Sequence, residues 1–592
     1  MKGQLSAGWR VWPALVASLV VLNASLTFEN VWPTPRISWG RALSFELALC
    51  VLLLAVAHRW AGRAARRVLP AIWIVLVAGH YLDVTAPGLY GRDVNLYWDS
   101  QHLGNVAAML ARAAPWWMIA TMAGAAVLAA ALAYTLARLA FARVAPAMNH
   151  GGSRLVLGSL AAIAIVLFAG QRLSPGFPAP VAFAAPVTEA FARQARFVLS
   201  MMGPGVVAPA LGPSPALDTG LRGLGGADVL LVFVESYGAV TYETPAIASG
   251  LAASRADFET AIRETGRQVV SAYVESPTFG GSSWLAHLSL LSGVEVRDQY
   301  AYTSLMASRR ETIVTNFARR GYRTVALMPG MRQAWPEGAF YGFDVIYGRD
   351  LLAYEGPQFG WWSIPDQYAL AKLDALERHR APRAPLFIVF PTSTTHAPFG
   401  PVAPYQADWS RVLTKDAYDK ADVERAMAIL PDLTSLGPSY VRAMAYEYAS
   451  LAGYLRQRTD DAIMIAIGDH QPPAAVSGKG APWRVPVHVI GGGGPVLHAL
   501  LDHGFRAGLE PRTPSIGAMH SLVPMLLQAF DAPGTAAEAV YLDSSDVVRS
   551  WRKSHLTSIA NDHASAVSVR AATRVLTGGE TMGARATLSP SN

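Results

Sequence analysis

Glu235 closes the apolar run VLLVFV, and the pair Asp469-His470 closes the run IMIAIG. Carboxylate and imidazole ligands together suit a manganese-, magnesium- or zinc-type cation. Short runs rich in Val, Ile and Phe read as buried strands. In open α/β sheets, ligands bind beyond the carboxyl ends of the strands. Three residues far apart in sequence can therefore meet at one sheet edge and hold a divalent ion. Taken singly, each has a bland alternative: Asp-His after a strand is often a loop hydrogen-bond pair, and Glu235 before Ser236-Tyr237 is unremarkable. Together, each after its own strand, they point to a metal-dependent enzyme.

A candidate nucleophile lies between them. The segment SPTFGGSSWLAHLSLLSG (276–293) follows the strand-like QVVSAYV, and its apolar pattern after the glycines suits a helix. A hydroxyl at a helix N-terminus sits among free backbone amides in a positive field, which favours anionic substrates and deprotonated nucleophiles. Ser283, Ser282 and Thr278 are the candidates; the alternative is an ordinary Ser N-cap. His396, after the run LFIVFP, could donate a proton to a leaving oxygen or grip a phosphate. Other features read as structural: Asp366 as the N-cap of the helix after it, His488 as a strand residue, and GGGGP at 491–495 as a tight turn without the Lys-Ser/Thr of a phosphate loop.

The elements that must position these groups divide the chain. Charged residues are 15% of the total and mean hydropathy is +0.26, with the apolar excess in the first third. Five apolar stretches, at 11–28, 42–58, 69–86, 117–137 and 155–171, approach the ~20 residues needed to span a bilayer. Lys2, Arg10, Arg59, Arg63, Arg66, Arg67, Arg138, Arg143 and Arg154 fall on one side. Arg36, Arg41, Arg92 and Arg112 fall on the other. The positive-inside rule then puts the N-terminus in the cytoplasm and everything after 172 outside. The one cysteine, Cys50, lies in the second stretch, so the exported part has no disulfides. The net charge of +7 is largely the anchoring arginines, and nothing resembles a nucleic-acid surface.

Residues 1–172 thus read as a transmembrane domain, and 173–225, rich in Pro, Ala and Gly, as a linker whose segment 187–202 could lie at the membrane surface as an amphipathic helix. Residues 226–545 alternate strand and helix patterns: strands are expected at 228–234, 268–274, 323–328, 386–391, 462–467 and 486–490, and helices at 251–265, 307–320, 366–379 and 439–457. That alternation predicts a largely parallel sheet covered by helices. Residues 546–592 lack apolar periodicity and read as a flexible tail.

A Glu after the first strand, a Gly-rich turn with a hydroxyl, Thr392-x-x-x-His396-x-Pro398 and Gly468-Asp469-His470 in this order resemble the sulfatase-like branch of the alkaline phosphatase superfamily. With five N-terminal spans the layout is similar to the lipoteichoic acid synthase and phosphoglycerol transferase group, over about 226–540 and the membrane part. The resemblance implies a bundle of about five transmembrane helices followed by an alkaline-phosphatase-like α/β domain. It also implies one divalent ion, manganese first and magnesium or zinc next, held by Glu235, the nucleophile, Asp469 and His470. Ser283 is favoured as nucleophile because it precedes Gly293 in the spacing that sulfatases use, with Ser282 second and Thr278 third. His396 matches a histidine near the leaving group, and Trp335 an aromatic residue on the acceptor side. There the chain departs from the family: Glu337 stands where an arginine follows that tryptophan.

The implied reaction moves a phosphoryl-linked headgroup from a membrane phospholipid to a glycan or lipid acceptor through a covalent Ser283 adduct. A phosphodiesterase or other hydrolase using water is the alternative, and a non-catalytic envelope partner the third. A true sulfatase is disfavoured, since Leu285 and His287 stand where its Pro and Arg follow the nucleophile. The cysteine count argues against the disulfide-rich phosphoethanolamine transferase subtype.

Overall fold

The computed structural model describes residues 11–533, apart from 31–36, 59–64, 91–93, 102, 105–106, 108–115, 175–176, 178–179, 203–210, 332–334, 336, 360–363, 379–381 and 433–434. The tail expected at 546–592 lies outside the described residues.

Each of the five apolar stretches contains a helix: α1 Val11–Ala24, α2 Phe45–Val56, α3 Ala65–Tyr90, α4 Trp116–Ala147 and α5 Gly151–Leu173. Three helical stretches, Arg67–Ala86, Trp116–Ala147 and Gly151–Leu173, are long and apolar enough to cross a membrane. The described parts of α1 and α2 are 14 and 12 residues. At 1.5 Å per residue, α2 rises only about 18 Å against a hydrocarbon core of about 30 Å. Val127 and Leu128 on α4, each 70% exposed, show the outward apolar surface that lipid would cover. Arg138 and Arg143, expected in a loop, lie instead in the last turns of α4, which continues to Ala147 before a tight turn into α5.

The helix expected at the membrane surface is α6, Val187–Met202. It is tied to the bundle rather than lying apart. Phe191 lies over Gly79 of α3, where an added Cβ would meet the ring at 2.4 Å, and Glu46 of α2 accepts hydrogen bonds from Thr188 N and Oγ1.

The α/β part is built on one eight-stranded sheet. Its strands are β1 Val229–Val234, β2 Gln268–Glu275, β3 Arg323–Leu327, β4 Val345–Tyr347, β5 Leu386–Pro391, β6 Ile463–Gly468, β7 Arg484–Gly491 and β8 Arg506–Ala507, in the order β8-β2-β7-β6-β1-β5-β3-β4. The run β6-β1-β5-β3-β4 is parallel, while β7 pairs antiparallel with both β6 and β2, and β8 with β2. The sheet is therefore mixed, not simply parallel. β4 and β8, at three and two residues, are too short to leave a periodic signal in sequence.

Strand β1 is buried on both faces. Val229, Leu231 and Phe233 enter one hydrophobic cluster with α8 (Ser283–Ser292) and α11 (Leu522–Phe530); Leu230, Val232 and Val234 enter the other with α7 (Pro245–Glu264), α9 (Asp366–Leu373) and α10 (Gly437–Arg456). A two-sided apolar run is what a central strand between helix layers requires. Each such side chain contributes about 1.5–3 kcal/mol on burial, which keeps β1 and its neighbours in register.

Candidate functional site

Register brings the chemistry together. Val234 of β1 lies opposite Gly468 of β6, and Phe233 lies opposite Pro391 of β5, so the three carboxyl ends are level. The next residues out are Glu235, Asp469-His470 and Thr392. Strand β2 ends at the same edge, and Ser276 Oγ donates to Asp469 O at 2.5 Å while Gly280 N donates to Gln471 O at 3.0 Å. These bonds pin the Gly-rich turn beneath α8.

Glu235, Asp469 and His470 are all buried, and one ligand atom from each lies within 4.8 Å of the others. Ser283 Oγ donates to Glu235 Oε2 at 2.9 Å and stands 3.1 Å from His470 Nε2. Ser283 is the first residue of α8. Ser282, the N-cap, sits in the left-handed region at φ 63°, without a side-chain cap bond. Thr278 turns away, its hydroxyl donating to Gly281 O at 2.5 Å. Of the three candidate hydroxyls, Ser283 therefore joins the cluster. A non-glycine residue in the left-handed region costs on the order of 1–3 kcal/mol, and Ser236, beside Glu235, is held there too at φ 58°.

The hydrogen bonds aim the ligands. His470 Nδ1 faces the carbonyl oxygen of Gln471 at 2.8 Å, and since a carbonyl only accepts, Nδ1 carries the proton and the Nε2 lone pair points at Ser283 and Glu235. Asp469 Oδ1 accepts from Ser236 N at 2.8 Å and His470 N at 2.7 Å, while Oδ2 is buried with no hydrogen-bond partner. A buried carboxylate oxygen without a donor is costly unless a cation meets it. One imidazole, two carboxylates and a hydroxyl form a donor set that fits a single divalent ion.

Burial raises the Asp469 carboxyl to about 6, with the Glu235 charge adding to it. Burial opposes the His470 imidazolium, but the Asp469 and Glu235 charges outweigh it and raise its pKa above the ordinary value. His396 is also buried; desolvation lowers its pKa, and the His470 charge lowers it further, against the Ala397 carbonyl and Asp469. The residue before it, Thr395, donates through Oγ1 to Glu235 O at 2.5 Å, which keeps its loop beside the cluster. His396 Nδ1 donates to Ala397 O at 2.7 Å, which leaves Nε2 as the basic nitrogen.

Trp335 is half-buried. Its ring lies 5.3 Å from Tyr341 and covers Gly338, packed against the core. His488 is structural as expected, bonded to Ser271 Oγ at 2.7 Å and Tyr237 at 2.9 Å. Asp366 is not the N-cap of α9: Pro365 is, and the Asp366 carboxylate binds the Ser393-Thr394 loop instead.

One residue went unrecognised in sequence. His287, one turn along α8 from Ser283, packs against Phe233 with ring centres 4.3 Å apart and planes tilted by 44°, and its buried Nε2 has no hydrogen-bond partner. Burial lowers it to about 4, so the ring is neutral at physiological pH, against the Asp469 carboxylate that favours its charge. The spacing of four from Ser283 was the available signal.

No family model and no curated protein matches the chain. Among solved structures, it is similar to a lipoteichoic acid synthase from Listeria monocytogenes (13% identity, 55% of this chain and 76% of that chain, TM-score 0.34). It is similar to an integral membrane lipooligosaccharide phosphoethanolamine transferase from Neisseria meningitidis (14% identity, 88% and 95% of the two chains, TM-score 0.39). It is also similar to a protein in the alkaline phosphatase superfamily from Vibrio parahaemolyticus (17% identity, 56% and 72%, TM-score 0.33). At TM-scores below 0.5 these matches bear no functional weight. The case for a function rests on the geometry of the site.

Proposed function

We propose that this protein is a membrane-anchored, metal-dependent transferase that moves a phosphoryl-linked headgroup, phosphoglycerol or phosphoethanolamine, from a phospholipid to an envelope glycan or lipid. The observation that carries the reading is Ser283 Oγ, 2.9 Å from Glu235 and 3.1 Å from His470, beside the unpartnered oxygen of Asp469. Glu235, Ser283, Asp469 and His470 would hold one divalent ion, with manganese preferred and magnesium or zinc as alternatives. When bound, such an ion lowers the hydroxyl's pKa and offsets charge on the transferred phosphoryl group.

Ser283 Oγ attacks the lipid phosphorus, and the bond from phosphorus to the diacylglycerol oxygen breaks. That oxygen leaves carrying the proton that the Ser283 hydroxyl gives up. An acceptor hydroxyl then attacks the phosphoserine; its proton passes to His396 Nε2 and from there to the Ser283 oxygen as the bond from that oxygen to phosphorus breaks. Trp335, as the second substrate-side candidate, would act through the packing of the Tyr341 region. The helices of 1–172 form the anchor, five spans in this reading, with 226–545 as the catalytic domain on the periplasmic or extracellular side of the cytoplasmic membrane.

Peptide mass spectrometry on protein purified from its membrane, without acceptor, tests this. A glycerophosphoryl or phosphoethanolamine adduct on Ser283 is expected, absent from Ser283→Ala. An unmodified Ser283 alongside steady release of free headgroup, with or without a glycan, would shift the assignment to a hydrolase using water.

A further inference from the structure

We propose that Asp366 is a positioning residue of this centre, acting through the loop Thr392–His396. The inference rests on the transferase assignment for its activity arm and on geometry alone for its binding arm.

Asp366 is fully buried at the start of α9, and its carboxylate collects the donors of one short loop. Oδ1 accepts from Ser393 N at 2.9 Å and Ser393 Oγ at 3.2 Å; Oδ2 accepts from Thr394 N at 2.7 Å and Thr394 Oγ1 at 2.5 Å. The residues on either side of this anchored pair grip the metal-ligand strand. Glu235 N donates to Thr392 Oγ1 at 3.1 Å, and Thr395 Oγ1 donates to Glu235 O at 2.5 Å. The loop thus holds the Glu235 residue by both its amide and its carbonyl, and the next residue is His396, whose amide donates back to Ser393 O at 3.2 Å. One carboxylate therefore sets the placing of a ligand and of the candidate proton carrier together. The Asp366 carboxylate bonds Ser393 and Thr394 and neither Thr392 nor Thr395, so its influence travels through the backbone between them.

Behind it lies Glu447, buried, with neither carboxyl oxygen hydrogen-bonded. Two adjacent buried carboxyls cannot both stay ionised at low cost. Burial raises both carboxyls: at Asp366 the four donors oppose the rise, whereas at Glu447 the nearby Asp366 charge adds to it and pushes the carboxyl well up. The two positions therefore make opposite predictions. An amide replaces Glu447 without loss, whereas an amide at Asp366 turns its NH2 toward a backbone amide of Ser393 or Thr394, which can only donate.

The test uses the full-length protein in detergent, measuring Mn2+ affinity by calorimetry and headgroup transfer kinetics. Asp366→Asn should weaken Mn2+ binding and lower kcat by roughly 10–100-fold each, as outer-shell partners of metal ligands do, with KM changed little. Thr395→Val should lower both, and the double variant should lose little beyond Asp366→Asn alone, because both act through Glu235. Glu447→Gln should remain near wild type. A folded Asp366→Asn with wild-type Mn2+ affinity, or losses that add fully with Thr395→Val, would overturn the proposal. Should Asp366→Asn not fold, unchanged Mn2+ affinity in Thr395→Val overturns it alone. If no transfer occurs but Mn2+ affinity falls as stated, the transferase assignment fails while the positioning role stands.

Discussion

At the scale of single residues, the site is a balance of charges in a buried space. Asp469, raised to about 6 by burial and the Glu235 charge, holds a proton in the metal-free protein at pH values where an ordinary carboxylate has lost it. A cation must displace that proton. His470, raised above its ordinary value, competes in the same direction. Metal affinity should therefore fall as pH drops through about 6, by at least tenfold per unit, and rise toward a plateau above neutrality. Calorimetric Mn2+ titrations from pH 5 to 8 check this; a flat profile would remove Asp469 from the ligand set. The ligand types were legible in sequence because carboxylate and imidazole after apolar runs have few other uses in combination. The choice between Ser282 and Ser283 was not, because adjacent residues on a turn point in different directions and only the φ of 63° at Ser282 decides which hydroxyl faces Glu235.

At the scale of elements, the turn into α8 and the end of β6 are the positions that tolerate least change. Ser282→Gly removes the left-handed penalty, so it should stabilise the protein by roughly 0.5–1 kcal/mol and leave Mn2+ affinity intact, as thermal unfolding with and without metal would show. A loss of affinity would mean that the Ser282 side chain takes part. Gly468 precedes Asp469 where two backbones nearly touch: a Cβ there would lie 1.8 Å from the Tyr237 carbonyl oxygen. Gly468→Ala must push β6 from β1 and should abolish Mn2+ binding, even in a variant that still folds. Retained binding would contradict the packing of these strand ends. Six strands and the main helices were visible as apolar runs. The antiparallel turn of β7 and the brief β4 and β8 were not, since pairing direction depends on which neighbours a strand finds, not on its own residues.

Over the whole molecule, the sheet has a chemical edge and a structural edge. At the amino end of β1, away from Glu235, Asp228 accepts from Arg383 at 2.8 Å through both oxygens and pairs with Arg378 at 2.7 Å. Removing one partner of such a buried network strands the others, so Asp228→Ala should cost about 3–5 kcal/mol of stability. Mn2+ affinity of the folded fraction should be unchanged; denaturant titration and calorimetry together separate the two effects, and a coupled loss would refute the division of labour. The loop beyond His470 reaches the short strand Phe28–Asn30, which follows α1, through Lys479, 3.3 Å from Glu29, an exposed pair worth about 0–1 kcal/mol. Composition and periodicity alone determined that an apolar helical third precedes an α/β part, and that Glu235, Asp469 and His470 close strands. Hydrophobic burial imprints itself residue by residue, and so it is readable along a chain. Only the tertiary structure decided that Ser283 joins them, that Asp366 holds the Thr392–His396 loop, and that Trp335 packs on Tyr341. Those outcomes depend on hydrogen bonds and backbone angles between segments brought together by strand register, which no single stretch of sequence contains.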